Sequence, residues 1–297
     1  MRITELPTFL LILAGLLPAA HAGDAFGPVA VRPEVRSVHV GSLELTALHD
    51  AQYVVPNDGK TFGVDAGETA VSDLLRASGL PTDRITLSVN ALVVRGAGRV
   101  LLLDSGLGTK AHGVLLASLK SAGISPRAVT DVLLTHSHGD HIGGLLDANG
   151  QLAFPKATIR MASAEWAWLQ KTGPTDLVMG ISKRVQPFEP GALIAPGVRS
   201  VALEGHTPGH VGYEVFSGQS RLLDIGDLAH SSVISLAKPQ WTMGFDNDSS
   251  RAIKTRSERL ATLAHDNELV FSPHFPFPGV GHVETSGAAF LWKPGYP

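Results

Sequence analysis

Thr135-His136-Ser137-His138-Gly139-Asp140-His141, followed by Ile142 and the pair Gly143-Gly144, decides the reading of this 297-residue chain. Four side chains that bind metals well, His136, His138, Asp140 and His141, fall within six residues. In a chain with 13 histidines, His-x-His-x-Asp-His arises by chance on the order of once in a thousand cases. The run therefore points to a metal-dependent hydrolase. If the segment leaving the short apolar strand 132–134 stays extended, His136 and His138 have period-two spacing and reach one ion from the same side. Asp140 and His141 are adjacent, point differently and suit a second ion, with Gly139 letting the chain bend between the pairs.

The ligands still missing sit further along, each just after an apolar stretch. Glu204-Gly205-His206-Thr207-Pro208-Gly209-His210 offers two histidines, Asp224-Ile225-Gly226-Asp227 two carboxylates, and Phe271-Ser272-Pro273-His274 one more histidine. The expected site holds His136, His138 and His210 on one ion and Asp140, His141 and His274 on the other, with Asp227 bridging. There are no cysteines, so thiolate ligands and disulfides are both excluded. Imidazole and carboxylate donors suit two divalent ions, zinc first, with iron, manganese or cobalt as alternatives.

The formal charge is only −3 and no basic cluster stands out. The electrostatic footprint of nucleic-acid binding is thus missing. At the N-terminus, Arg2, the apolar stretch 9–17 and Ala20-His21-Ala22 read as a secretory signal with an A-x-A cleavage site. We expect residues 1–22 to be a signal peptide and 23–297 one hydrolase domain, periplasmic or secreted and without a membrane span once the signal is removed. Oligomeric state is left open, a homodimer included.

Hairpins are expected at 37–50, about a Gly41-Ser42 turn, and at 91–104, about Gly96-Ala97-Gly98. Further strands are expected at 158–161, 198–203, 211–216, 222–225 and 269–272, with helices at 112–122, 164–170 and 250–265. This pattern suits an α+β chain in which two mixed sheets pack face to face with helices outside, a four-layer αββα sandwich.

The ordered motifs resemble the metallo-β-lactamase-fold hydrolase superfamily. They are Leu103-Asp104-Ser105-Gly106, the His136–His141 run, Gly205-His206-Thr207-Pro208-Gly209-His210, Gly226-Asp227 and the late His274. The resemblance implies that His210, the second histidine of its motif, ligates and that His206 is structural, with metal content of His206→Ala against His210→Ala as the arbiter. The Gly143-Gly144-Leu145 continuation and the run from Pro273 to His282 are similar to methyl parathion hydrolases and acyl-homoserine lactonases. Asp227 stands where zinc β-lactamases of the principal class carry Cys, which argues against β-lactam hydrolysis. The uncharged stretch 275–281 lacks the basic residues of glyoxalase II-like thioesterases. A small, neutral, apolar ester-like substrate is expected.

Hydroxide held between two ions would attack a lactone or ester carbonyl, with an acyl-homoserine lactone as the sensible example. An organophosphate triester or aryl ester is the alternative. Asp140 is the candidate proton shuttle to the leaving alkoxide. Asp104 is read as holding a ligand imidazole in its tautomer. Related lactonases often carry a Tyr three residues after the bridging Asp; this chain has His230 there, either a donor to the substrate carbonyl or a plain loop residue. Phe62, Phe275 and one of Trp166 and Trp168 are candidates for an apolar substrate wall. A metal-binding protein without catalysis, or a mononuclear iron dioxygenase, is the reading from another class; it uses fewer of the seven donors.

Overall fold

The computed structural model describes residues 26–295, so the expected signal peptide lies outside the described residues. The first sheet runs β1 (Gly27–Val29), β2 (Val35–Val40), β3 (Leu43–Pro56), β4 (Arg84–Gly96), β5 (Arg99–Leu103), β6 (Asp131–Leu133), β7 (Thr158–Ala162) and β8 (Val185–Phe188). Its spatial order is β1-β3-β4-β5-β6-β7-β8, with β2 also on β3; pairing is antiparallel up to β5 and parallel beyond. The second sheet holds β9 (Leu193–Ala195), β10 (Val198–Ala202), β11 (Val211–Ser217), β12 (Ser220–Asp224), β13 (Leu269–Phe271), β14 (Val280–Ser286) and β15 (Ala289–Pro294), in that order or its reverse across the sheet. Only β12 and β13 are parallel.

Side-chain alternation along the strands builds the layers. Leu92 and Val94 of β4 face inward with Leu45, Leu101 and Leu103, against Val198, Tyr213, Val215, Leu222 and Phe271 of the other sheet. Their neighbours Ala91 and Val93 face outward onto Leu115 and Leu119 of α2 (Leu115–Ser121) and Leu169 of α4 (Ser163–Thr172). The outer face of the second sheet is covered by Leu260 and Leu263 of α7 (Ser249–Asp266). The expected α+β, four-layer sandwich is thus the observed architecture. Each buried Leu, Ile, Val or Phe side chain contributes roughly 1.5–3 kcal/mol relative to exposure.

The remaining helices are α1 (Glu68–Ala77), α3 (Gly139–Ile142), α5 (Thr175–Ile181) and α6 (Ile234–Ala237). The expected hairpin turn at 96–98 is observed with both Ala97 and Gly98 at positive φ, the backbone that matches strand twist in a two-residue turn. Helix α2 starts later than the expected 112–122. His112 is left-handed at φ 66, and the Leu115 N–H is taken by Asp50 Oδ1 at 2.7 Å. The same carboxylate accepts the Leu107 N–H at 2.7 Å, so Asp50 fixes both ends of the 106–115 loop.

Candidate metal centre

The site is assembled at strand ends contributed by both sheets. Beyond β6 the chain is pinned by the Tyr213 hydroxyl on Leu134 O (2.8 Å) and by the Val211 N–H on Thr135 O (3.0 Å). His136 and His138 follow, and α3 then carries Asp140 and His141. Loops after β10, β12 and β13 supply His206, Asp227 and His274.

Two groups of donors converge, His136 with His138, His206 and Asp227, and Asp140 with His141 and His274. Asp227 faces both. Its Oδ2 lies 3.2 Å from His206 Nε2 and 3.6 Å from His136 Nε2, while Oδ1 lies 3.1 Å from His274 Nε2 and 3.2 Å from His141 Nε2. Asp140 Oδ2 lies 3.5 Å from His274 Nε2.

The far nitrogens of four of these rings are occupied, which turns the near ones towards one another and Asp227, while His138 brings its Nδ1 to 2.9 Å from His206 Nε2. His141 Nδ1 donates to Asp104 Oδ2 (2.8 Å), His274 Nδ1 to Ser88 O (2.8 Å) and His206 Nδ1 to Asp246 Oδ1 (3.1 Å). His136 Nδ1 donates to Thr135 Oγ1 (3.0 Å), whose hydroxyl passes on to Asp104 Oδ2 (2.9 Å). Asp104, held at φ 58, thereby reaches histidines of both groups, directly or through Thr135. Two buried inward atoms, His136 Nε2 and Asp227 Oδ1, have no hydrogen-bond partner among the described residues. Buried polar atoms are rarely left so, and nitrogen and carboxylate donors this close suit a divalent ion. The residues present fit a divalent metal site.

The structure corrects one expected ligand. His210 is not in either donor group; His206 stands in its place. Both His210 nitrogens are used, Nδ1–H donating to Leu203 O (2.7 Å) and Nε2 accepting the Asp227 N–H (3.0 Å). Burial and the nearby His206 hold its pKa at about 3, so the ring is neutral and acts as a strut beneath Asp227. The Gly226 φ of 47 belongs to this contact, for a Cβ there would lie 2.6 Å from His210 Nε2.

Charge is split across the site. Burial depresses His136 well below the usual histidine value and His138 to about 4. Burial opposes protonation of His141, His206 and His274 too, but neighbouring carboxylates, Asp227 above all, outweigh it and raise all three, His206 to about 9. Burial likewise opposes ionisation of Asp227, yet the surrounding imidazoles hold it well below the usual carboxylate range.

A carboxylate that sequence reasoning passed over joins the two ligand loops. Glu165 of α4 is fully buried; its Oε1 accepts the N–H (2.8 Å) and hydroxyl (2.5 Å) of Ser137, and its Oε2 the Thr207 hydroxyl (2.8 Å) and the Gly209 N–H (3.0 Å). Its only signal in the sequence is a charged residue in a predicted helix, which is the commonest of patterns.

Above the donors opens a cleft of about 690 Å³ walled by Pro28, Tyr53, Leu87, Leu107, Ala111 and Phe245, with no Lys or Arg among its described lining residues. Pro28, Tyr53 and Leu87 are cross-strand partners in one row over β1, β3 and β4. His230 borders the cleft, its Nε2 3.1 Å from Asp227 Oδ2 and its ring stacked on His274 at 10°. Phe62 packs edge-on behind His230 and Phe245. Trp168 stands edge-on to His138, 5.9 Å away. Phe275 is not a cleft wall; it packs against Trp292 in the core under α7.

Comparison with known proteins agrees with this geometry. Residues 84–274 match the Metallo-beta-lactamase superfamily. A probable metallo-hydrolase of Bacillus subtilis (strain 168), YybB, is 25% identical over 196 residues, 63% of this chain and 85% of the relative. The dizinc quorum-quenching lactonase AidC, solved with an N-hexanoyl-L-homoserine product, superimposes with TM-score 0.82 at 27% identity over 89% of this chain and 98% of its own. AbOPH, a hydrolase in the β-lactamase superfamily, gives TM-score 0.80 at 26% identity over 92% and 99%. The chain belongs to the metallo-beta-lactamase superfamily and is one of its hydrolases, with a divalent metal site built from histidine and aspartate.

Proposed function

We propose that this hydrolase carries two divalent ions, zinc foremost, and opens a neutral lactone or ester with an apolar tail, an acyl-homoserine lactone being the best example. The carrying observation is Asp227, whose two oxygens face separate nitrogen groups at the floor of an apolar cleft without a cationic side chain. His136, His138 and His206 would hold one ion, Asp140, His141 and His274 the other, and Asp227 both. When bound, such ions supply a hydroxide nucleophile at neutral pH and a Lewis acid for the carbonyl oxygen.

The chain's own groups do the rest. The Pro28, Tyr53 and Leu87 row takes up the tail and excludes water from the reacting carbonyl. Burial keeps His230 neutral, with one N–H to donate to the carbonyl oxygen as negative charge develops there. Asp140, with a quarter of its side chain exposed at the cleft, takes the proton of the attacking hydroxyl and passes it to the alkoxide as the ester C–O bond breaks. The N-terminal signal pattern supports export to the periplasm or beyond, which a mature protein beginning at Gly23 would establish.

The test is turnover by metal-loaded protein on a long-chain homoserine lactone, an aryl ester and a phosphotriester. Lactone opening fastest is the expected result. Phosphotriester or aryl-ester turnover without lactone turnover would move the assignment to those substrates.

A further inference from the structure

His206 differs from the other ligands in what stands behind it. Its Nδ1 meets Asp246, which belongs to an irregular strap, residues 241–248, that also walls the cleft. The strap is pinned at one end to the 61–65 loop, through the Met243 bridge to Phe62 and the Gly244 N–H on Thr61 O (2.8 Å). At the other end it is pinned to the ligand loop, by the Asn247 N–H on His206 O and the Asp248 N–H on Gly205 O, both 2.9 Å. Between these anchors, adjacent residues serve opposite sides. Phe245 faces the cleft, its ring 5.4 Å from that of His230. Asp246 points inward, Oδ1 to His206 and Oδ2 accepting from an Arg256 guanidinium nitrogen at 3.0 Å.

Arg256 is the unusual member. It lies on α7 with a side chain 1% exposed, and its Nε and Nη1 have no hydrogen-bond partner among the described residues. An arginine buried with donors unspent is a poor way to stabilise a helix, because an apolar side chain of similar volume commonly does as well or better. Its one hydrogen-bond or ion-pair partner among the described residues is the Asp246 carboxylate, so its evident use is to aim that group.

We propose that Asp246, held by Arg256, is a positioning residue that orients His206 and ties retention of the ion beside it to the Phe245 wall of the cleft. By linkage, an apolar ligand seated on Phe245 tightens metal holding, and metal tightens the ligand, by the same factor. The inference rests on the metal reading proposed above.

Metal stoichiometry and chelator-driven metal release test it in Asp246→Asn, Asp246→Glu and Arg256→Lys, with circular dichroism confirming the fold. Loss of a ligand-orienting group typically weakens metal affinity by about 10–100-fold. That loss is expected for one ion in Asp246→Asn, with the other unchanged, a smaller loss in Arg256→Lys, and partial recovery in Asp246→Glu. A non-hydrolysable N-acyl lactam should slow metal release from the wild type and not from Asp246→Asn. A folded Asp246→Asn that releases both metals at the wild-type rate overturns the proposal, as does an equal lactam effect in both proteins. If Asp246→Asn does not fold, wild-type release kinetics in Arg256→Lys overturn it instead. Wild-type protein that takes up a single ion refutes the dinuclear reading separately, and the variants' hold on that ion still decides this one.

Discussion

Replacing Glu165 with leucine removes a carboxylate that ties the backbone of the His136–His138 loop to that of the His206 loop. Four donors lose their acceptor: the Ser137 and Gly209 N–H groups and the Ser137 and Thr207 hydroxyls. The hydroxyls can rotate towards other acceptors; the two amides cannot. A buried unsatisfied donor costs about 1–3 kcal/mol, so the amides alone account for about 2–6 kcal/mol, offset in part by burying apolar leucine in place of a charge. A net loss of about 3 kcal/mol lowers Tm by roughly 6–12 °C, taking 2–4 °C per kcal/mol for a chain of this size. Gln in place of Glu165 keeps one acceptor oxygen but sets an amide NH2 against two of the donors, and should lose a comparable amount. Thermal melts of metal-free protein measure this, and elemental analysis of the loaded variants should show loss of metal beside His136, His138 and His206. A Glu165→Leu variant melting within about 2 °C of wild type, on the same scale, with its metals intact, would refute the reasoning.

Three further outcomes are expected. His206→Ala should lose about one metal equivalent, whereas His210→Ala should keep the donor set and lose stability, read by elemental analysis and melting; the reverse would restore the expected ligand His210. Because His141, His206 and His274 all hold protons more tightly than ordinary histidines in the metal-free protein, metal binding at pH 7 should release protons and metal affinity should rise with pH towards about 9, where His206 titrates. Calorimetry in buffers of different ionisation enthalpy counts them, and zero release contradicts the donor set. Burial outweighs three backbone hydrogen bonds to raise Asp50 from 3.8 to about 6, so between those values the folded state binds more protons than the unfolded one, and stability falls as pH rises, by at most about 3 kcal/mol. Because the site histidines titrate alike in both proteins, urea melts of metal-free wild type and Asp50→Asn at pH 4 and 6.5 should show that fall as a loss of wild-type stability relative to the variant.

Much of the site was legible because its signals are local. His136, His138, Asp140 and His141 are close in sequence, and Asp227 and His274 each follow an apolar strand. The choice between His206 and His210 was not legible, since the two occupy equivalent places in one short motif. What separates them is the closure of the β10–β11 hairpin, where the Leu203 and His210 backbones pair and the Leu203 carbonyl claims the His210 ring as well. Glu165, Asp246 and Arg256 were invisible for a related reason. Their partners lie on other elements, and only burial distinguishes them from ordinary surface charges. Local backbone detail also escaped the pattern, as at His112 and Asp50, where a left-handed residue and a side-chain acceptor delay α2.

The donors are drawn from both sheets, and His141 and His274 meet across 133 residues of chain. Any ion they share closes a loop of that length, and cross-linking distant points removes more freedom from an unfolded chain the longer the loop. In a protein without cysteine, coordination thus takes the office of a disulfide. It is a staple that cannot form before both halves have docked, and a chelator would open it as a reductant opens an extracellular fold.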